Sequence, residues 1–124
     1  MSTAAGRILI VEGDPGLGLA LELLFSQRGH QVEVVASGEL ALDRMGPFAP
    51  HVVVMEARLP FRSSFDICHT LHSLDPAVRP RILILTARDR EAEVALASTF
   101  GVDAFLTKPF SSREMLETVQ TLLP

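Results

Sequence analysis

The sequence predicts an α/β fold, a parallel sheet with helices on both faces, and two observations carry that prediction. Five short apolar blocks recur along the chain, each followed by turn or capping residues and then, in most cases, by a longer segment of helical period. Three of the blocks are apolar without interruption, as strands buried on both faces of a parallel sheet must be.

The blocks lie at 8–11, 32–35, 52–55, 82–85 and 104–106. The second carries Glu33 and the fifth is short, which places both nearer a sheet edge. Asp14 followed by Pro15 gives an N-cap and a proline at the first helical position. Leu17, Leu21, Leu24 and Phe25 then form one apolar stripe, and Gly29 stops that helix. Ser37 caps a second helix through Met45, closed by Gly46 and Pro47. A third helix is expected over 64–73 and a fourth over 88–100, ended by Gly101. Ser111 and Glu114 make a capping box for a last helix, with Met115, Val119 and Leu122 facing inward. Successive βα units of this kind imply a parallel, doubly wound sheet.

The remaining composition narrows the function classes. The chain has 124 residues, 48% of them hydrophobic, enough for one domain with a single core. We read 1–124 as that domain, with 1–6 as an N-terminal tail. No apolar run approaches the ~20 residues of a membrane span, and the first residues lack the pattern of a signal peptide. The lone Cys68 cannot form an internal disulfide, which fits a reducing compartment, and a cytoplasmic location is expected. A net charge of -4 argues against direct nucleic-acid binding. Ten of the eleven basic residues are arginine, and the single lysine is Lys108. Lysine is a compact point charge where arginine is a planar fork, so this exception points to chemistry.

In open parallel sheets the ligand site lies beyond the carboxyl ends of the strands. There the sequence places Glu12, Gly13 and Asp14 after the first strand, Glu56 after the third, Thr86 after the fourth and Lys108 after the fifth. Two carboxylates, a hydroxyl and a lysine suit a hard cation or a phosphoryl group. Asp14, before Pro15 at a helix start, is accounted for as an N-cap and not as a metal ligand.

The order and spacing of Arg7-Ile8-Leu9-Ile10-Val11 with Asp14-Pro15, of Leu59-Pro60, of Ile84-Leu85-Thr86-Ala87-Arg88-Asp89 and of Leu106-Thr107-Lys108-Pro109-Phe110 resemble a response-regulator receiver domain of two-component signalling. The resemblance covers essentially the whole chain. It implies a flavodoxin-like sheet of order 2-1-3-4-5, a cis Lys108–Pro109 bond and a switch driven by aspartyl phosphate. It also implies a histidine kinase or a downstream effector as protein partner. Thr86 and Lys108 match the family's hydroxyl and lysine positions, and Phe105 its aromatic switch position.

The departures from the family pattern shape the expected function. Glu12 stands at the first of two acidic metal positions and Gly13 at the second, Glu56 stands in place of the phosphoaccepting aspartate, and Ser64 replaces the usual loop glycine. Glu56 carries the same nucleophile as aspartate, but its extra methylene moves the carboxylate about 1.5 Å outward. Misplacement of about an angstrom costs ~10²-fold in rate. With Gly13 contributing no carboxylate, Mg²⁺ is expected to bind at Glu12 and Glu56 weakly or not at all.

The expected function is therefore a receiver with a degenerate phosphorylation site that acts by phosphorylation-independent protein contact. The alternative is a working receiver that accepts a phosphoryl group from a histidine kinase with Mg²⁺. A small enzyme or nucleotide binder has little support, since Gly13-Asp14-Pro15-Gly16 puts a proline where a phosphate loop needs donor amides. Two roles are open for Glu56: a partial phosphate mimic that engages Lys108 and Thr86, or plain pairing with Lys108. His51 reads as a solvated strand-entry residue. Cys68, His69 and His72 fall short of a zinc ligand set. Phe61 and Phe65 read as a cover over the pocket or a partner contact. Ala104 and Thr118 replace charges found in receivers that dimerise through that face.

Overall fold

The apolar blocks become the strands β1 (Arg7–Val11), β2 (Gln31–Val35), β3 (Val52–Glu56), β4 (Arg81–Thr86) and β5 (Ala104–Thr107). The structure is a computed structural model and describes residues 5–59, 64–86 and 101–124. All strand pairs are parallel, as the βα pattern implies, and the order is β2-β1-β3-β4-β5, as the resemblance implies.

The described helices are α1 (Pro15–Ser26), α2 (Gly38–Phe48), α3 (Ser64–His72) and α4 (Ser112–Leu122). The helix expected over 88–100 lies outside the described residues, as does Phe61. Strand side chains alternate between the two faces, and the core divides accordingly. Ile8, Ile10, Val52, Val54, Leu83 and Leu85 pack with Leu21 and Phe25 of α1 and with Met115, Val119 and Leu122 of α4. Leu9, Val11, Val53, Met55, Ile82 and Ile84 pack instead with Ala41 of α2 and Ile67, Cys68 and Leu71 of α3. Helices thus cover both faces. β2 is only partly buried along its length, as suits an edge strand.

The caps form as the sequence proposes. Asp14 Oδ1 accepts from the Gly16 amide at 3.0 Å, and Ser111 and Glu114 satisfy each other's backbone N–H at 3.0 and 2.9 Å. Gly29 adopts φ 88° in the turn after α1, a left-handed conformation that glycine takes without a Cβ clash. A Cβ on Gly18 would lie 3.1 Å from Val34 Cγ1, so this glycine lets α1 approach β2 closely.

Two expectations need correction. α2 does not close at Met45 but runs to Phe48, with Gly46 and Pro47 inside its last turn and Ala49 as a left-handed cap at φ 51°. Pro47 removes one N–H, and the Ala49 amide still bonds Met45 O at 3.1 Å, so the turn closes without it. His51 is not merely a solvated strand-entry residue. Its Nδ1 accepts from the Arg7 amide at 2.9 Å, its own amide donates to Arg7 O at 2.8 Å, and its carbonyl accepts from the Arg81 amide at 2.9 Å. His51 therefore stitches three strands together. Gly6, read as part of the tail, is likewise held: its amide donates to His30 Nδ1 at 3.0 Å and its carbonyl accepts from the Gln31 amide.

Candidate functional site

Because β1, β3, β4 and β5 run parallel, their carboxyl ends open on one edge of the sheet. Glu12 follows β1, Glu56 ends β3, Thr86 ends β4 and Lys108 follows β5. Backbone bonds fix these ends. The Glu12 amide donates to Val35 O, the Ala57 amide to Leu85 O and the Lys108 amide to Thr86 O, each at 2.9 Å. The Lys108–Pro109 peptide is cis, as the resemblance implies.

Three of the four side chains meet. Lys108 Nζ donates to Glu56 Oε2 and stands 3.8 Å from Glu12 Oε1, so the one lysine of the chain lies between the two carboxylates. Glu12 is 7% exposed, and its Oε2 accepts from the Asp14 amide at 3.1 Å. Its Oε1 is buried and has no hydrogen-bond partner among the described residues, and the same holds for the hydroxyl of the fully buried Thr86. Buried polar atoms are rarely left this way. Gly13 and Asp14 lie outward on the exposed loop, where Asp14 serves the helix cap.

Burial raises the Glu56 carboxyl above its ordinary range. The adjacent Glu12 adds to the rise, while Lys108 opposes it. A tightly held Mg²⁺ does not fit this donor set. One Glu56 oxygen is engaged by Lys108, Gly13 offers no carboxylate, and no cluster of three or more His, Cys, Asp or Glu side chains suited to a metal occurs among the described residues. In this arrangement the Lys108 ammonium balances two carboxylates, and the Thr86 hydroxyl lies buried at the end of the neighbouring strand.

The neighbouring residues divide by role. Phe105 sits opposite Ile84 in the β4–β5 register and packs half-buried against the cluster under α2 and α3. Ser64, noted in the sequence only as a replaced glycine, is fully buried, and its hydroxyl donates to Ala57 O at 2.8 Å. That bond ties the start of α3 to the end of β3. Only the hydroxyl itself signalled it in the sequence. Cys68 is buried with its thiol pushed up to about 12, chiefly by desolvation, and His72 Nδ1 faces Arg79 Nη1 at 3.2 Å. Cys68, His69 and His72 of α3 belong to no group of three or more potential metal ligands among the described residues. No described helix is long and apolar enough to cross a membrane.

Comparison with known proteins agrees with this geometry. The family model of the response regulator receiver domain matches residues 8–120. The chain is 36% identical over 116 residues to the transcriptional regulatory protein CreB of Escherichia coli, a match covering 94% of this chain and 50% of that protein. It is 31% identical over 123 residues to the DNA-binding response regulator MtrA of Mycolicibacterium smegmatis, covering 99% of this chain and 53% of the relative. The chain thus spans about half the length of the curated relatives it matches. Among solved structures, a putative response regulator from Chloroflexus aurantiacus superposes with a TM-score of 0.87 at 27% identity, covering 96% of this chain and 98% of that one. The chemotaxis response regulator CheY4 of Vibrio cholerae shares the fold with a TM-score of 0.88 at 21% identity, covering 97% and 100%. Fold, strand-end chemistry and sequence similarity agree: the chain belongs to the response regulator receiver domain family.

Proposed function

We propose that this chain is a receiver module that signals by protein contact without being phosphorylated, with Glu56 standing where the family accepts its phosphoryl group. The observation that carries the reading is the bond from Lys108 to Glu56. It occupies the ammonium that would otherwise meet a phosphoryl oxygen, and it holds the carboxylate in a pairing geometry instead of an attacking one. The pairing role of Glu56 is better supported than phosphate mimicry. Mimicry would engage the Thr86 hydroxyl, and that hydroxyl has no hydrogen-bond partner among the described residues. The partner is a histidine kinase or a downstream effector, in the cytoplasm. By analogy with the transcriptional and DNA-binding regulators it resembles, that effector is transcriptional.

One observation favours a second reading, that of a working receiver. Glu12 Oε1 and Thr86 Oγ1, which lack hydrogen-bond partners among the described residues, are the kind of acceptor and donor that a cation and a phosphoryl oxygen would satisfy. Intact mass spectrometry after incubation with acetyl phosphate and Mg²⁺ separates the two. We expect no phosphate adduct on the wild type. An adduct on the wild type that disappears in Glu56→Gln would overturn the leading reading. Glu56→Asp, run alongside, reports whether Gly13 still permits the chemistry once the shorter acid is restored.

A further inference from the structure

The opposite edge of the sheet, where the strands begin, carries a basic cleft that the receiver chemistry does not use. Arg7 at the start of β1, His51 just before β3 and Arg81 at the start of β4 form a row across three neighbouring strands, linked by the backbone bonds of His51. Strands lie about 4.8 Å apart, so the Arg7 and Arg81 backbones stand about 10 Å from each other. Arg79 joins them from the segment leading into β4, and all four residues line one cleft. Its apolar lining includes Met45, Leu74, Leu122 and Val78, the last 67% exposed.

The positive charge here is poorly compensated. Arg7 Nε donates to Ala49 O at 2.8 Å, and Arg79 donates to Leu74 O at 3.4 Å and faces His72. Two of those partners are backbone carbonyls and the third is an imidazole, so none is a carboxylate. Among the described residues the one carboxylate paired with any of the three arginines is Asp103, a distant 3.8 Å from Arg81. Arg79 Nε is buried with no hydrogen-bond partner among the described residues. Arg7 also helps to hold His51 below its ordinary value, second to burial, as an uncompensated cation would. Three guanidiniums gathered on an acidic protein, around an apolar floor, form a surface complementary to an anion with an apolar body.

We propose that this cleft docks an extended acidic–apolar segment of a partner protein, with acid, apolar and acid side chains at alternate positions. Alternate side chains of an extended segment point to one face, and five residues place the outer two about 13 Å apart. Long arginine side chains rooted about 10 Å apart reach both carboxylates, and the central apolar side chain meets Val78 and Met45. Peptide and not small anion is the commitment, because the arginines stand on β1, on β4 and on the segment before β4 and surround apolar surface instead of converging on one point. The proposal is independent of whether Glu56 is phosphorylated.

The probe is the blocked peptide Asp-Ala-Leu-Ala-Asp, titrated into the ¹⁵N-labelled full chain and followed by amide chemical shifts. Saturable shifts at Arg7, His51, Val78 and Arg81 are expected, with affinity at least about tenfold weaker when both aspartates are replaced by asparagine or when Arg79→Gln is used. The asparagine peptide tests the electrostatics on the wild type, so a misfolded variant cannot decide the matter. Shifts elsewhere, or none, would overturn the proposal. So would citrate giving the same shifts at the same affinity as the peptide, since the cleft would then be a small-anion site. Unchanged affinity for the asparagine peptide would leave no role for the guanidiniums and would overturn it as well.

Discussion

Two sets of polar side chains at the two edges of one sheet are held in opposite ways. At the edge where the strands end, Lys108 draws Glu12 and Glu56 together, with a Glu12 oxygen and the Thr86 hydroxyl lacking hydrogen-bond partners among the described residues and the Glu56 carboxyl raised above its ordinary range. At the edge where they begin, His30 and His51 each accept a backbone N–H and are built into the strand pairing. Polar side chains that complete the backbone network add stability, whereas those left facing one another in a buried space do not. The difference marks the first edge as the place where polar groups are held at a cost in stability. Changing the two edges separately is the way to test that contrast.

The largest effect is expected from Lys108→Met. Among the described residues Lys108 is the one cation paired with the Glu56 and Glu12 carboxyls, whose side chains are 16% and 6% exposed. Removing it leaves two buried acids facing each other. A fully buried pair broken in this way costs 3–5 kcal/mol, and because Lys108 is partly exposed we expect about 2 kcal/mol by urea denaturation at pH 7. Adding Glu56→Gln to the same protein removes one of the confronted charges, and should recover at least half of the loss in a double-mutant cycle. Additive losses would show that the lysine is held by something other than the carboxylates.

Much of this was legible in the sequence. Strand blocks, caps and apolar stripes signal local physics, so β1, β3, β4, α1 and α4 could be read directly. The convergence of Glu12, Glu56, Thr86 and Lys108 followed from one topological rule applied to the residues at the strand ends. The misses share a cause. The roles of His51, His30 and Ser64 depend on bonds to residues distant in the chain, and Pro47 within α2 overrides a local stop signal because the last turn closes through Ala49. Nor does any periodicity announce that Arg7, Arg79 and Arg81 share a cleft. Only the register of β1, β3 and β4 brings them together.

A second, smaller effect tests the edge where the strands begin. Burial lowers both His30 and His51, and Arg7 lowers His51 further, so the folded protein resists protonation. Protonating either Nδ1 would set a donor against a donor. The unfolded chain takes up its protons near the ordinary 6.5. This stability is therefore complete above 6.5 and is lost as pH falls below it. We expect a loss of about 1 kcal/mol between pH 7 and 5.5, with the profile flattened in a His30→Gln, His51→Gln double variant. The Glu33–Arg44 pair, bonded at 2.7 and 2.9 Å, lowers the Glu33 carboxyl and acts in the same direction only below about 4.5. The two windows are separable. A flat wild-type profile between pH 7 and 5.5 would mean that the histidines are not held neutral by the fold.

The smallest effect, and the one with the opposite pH sign, belongs to Glu56→Gln alone. Glu56 is raised in the folded protein, mainly by burial and further by Glu12, against the pull of Lys108. Its proton is held more tightly folded than unfolded, so its contribution is complete below the unfolded value of 4.5 and declines as pH rises above it. Glutamine keeps the shape and a hydrogen-bonding oxygen for Lys108 without the ionisation. The variant should match the wild type near pH 4 and exceed it by about half a kcal/mol at pH 7, read as a shift in urea midpoint with unchanged slope. A wild type more stable than Glu56→Gln at pH 7 would show that the pull of Lys108 exceeds the cost of burial. The Lys108–Glu56 pair would then be a stabilising lock, and the strand-end edge would resemble the strand-start edge after all.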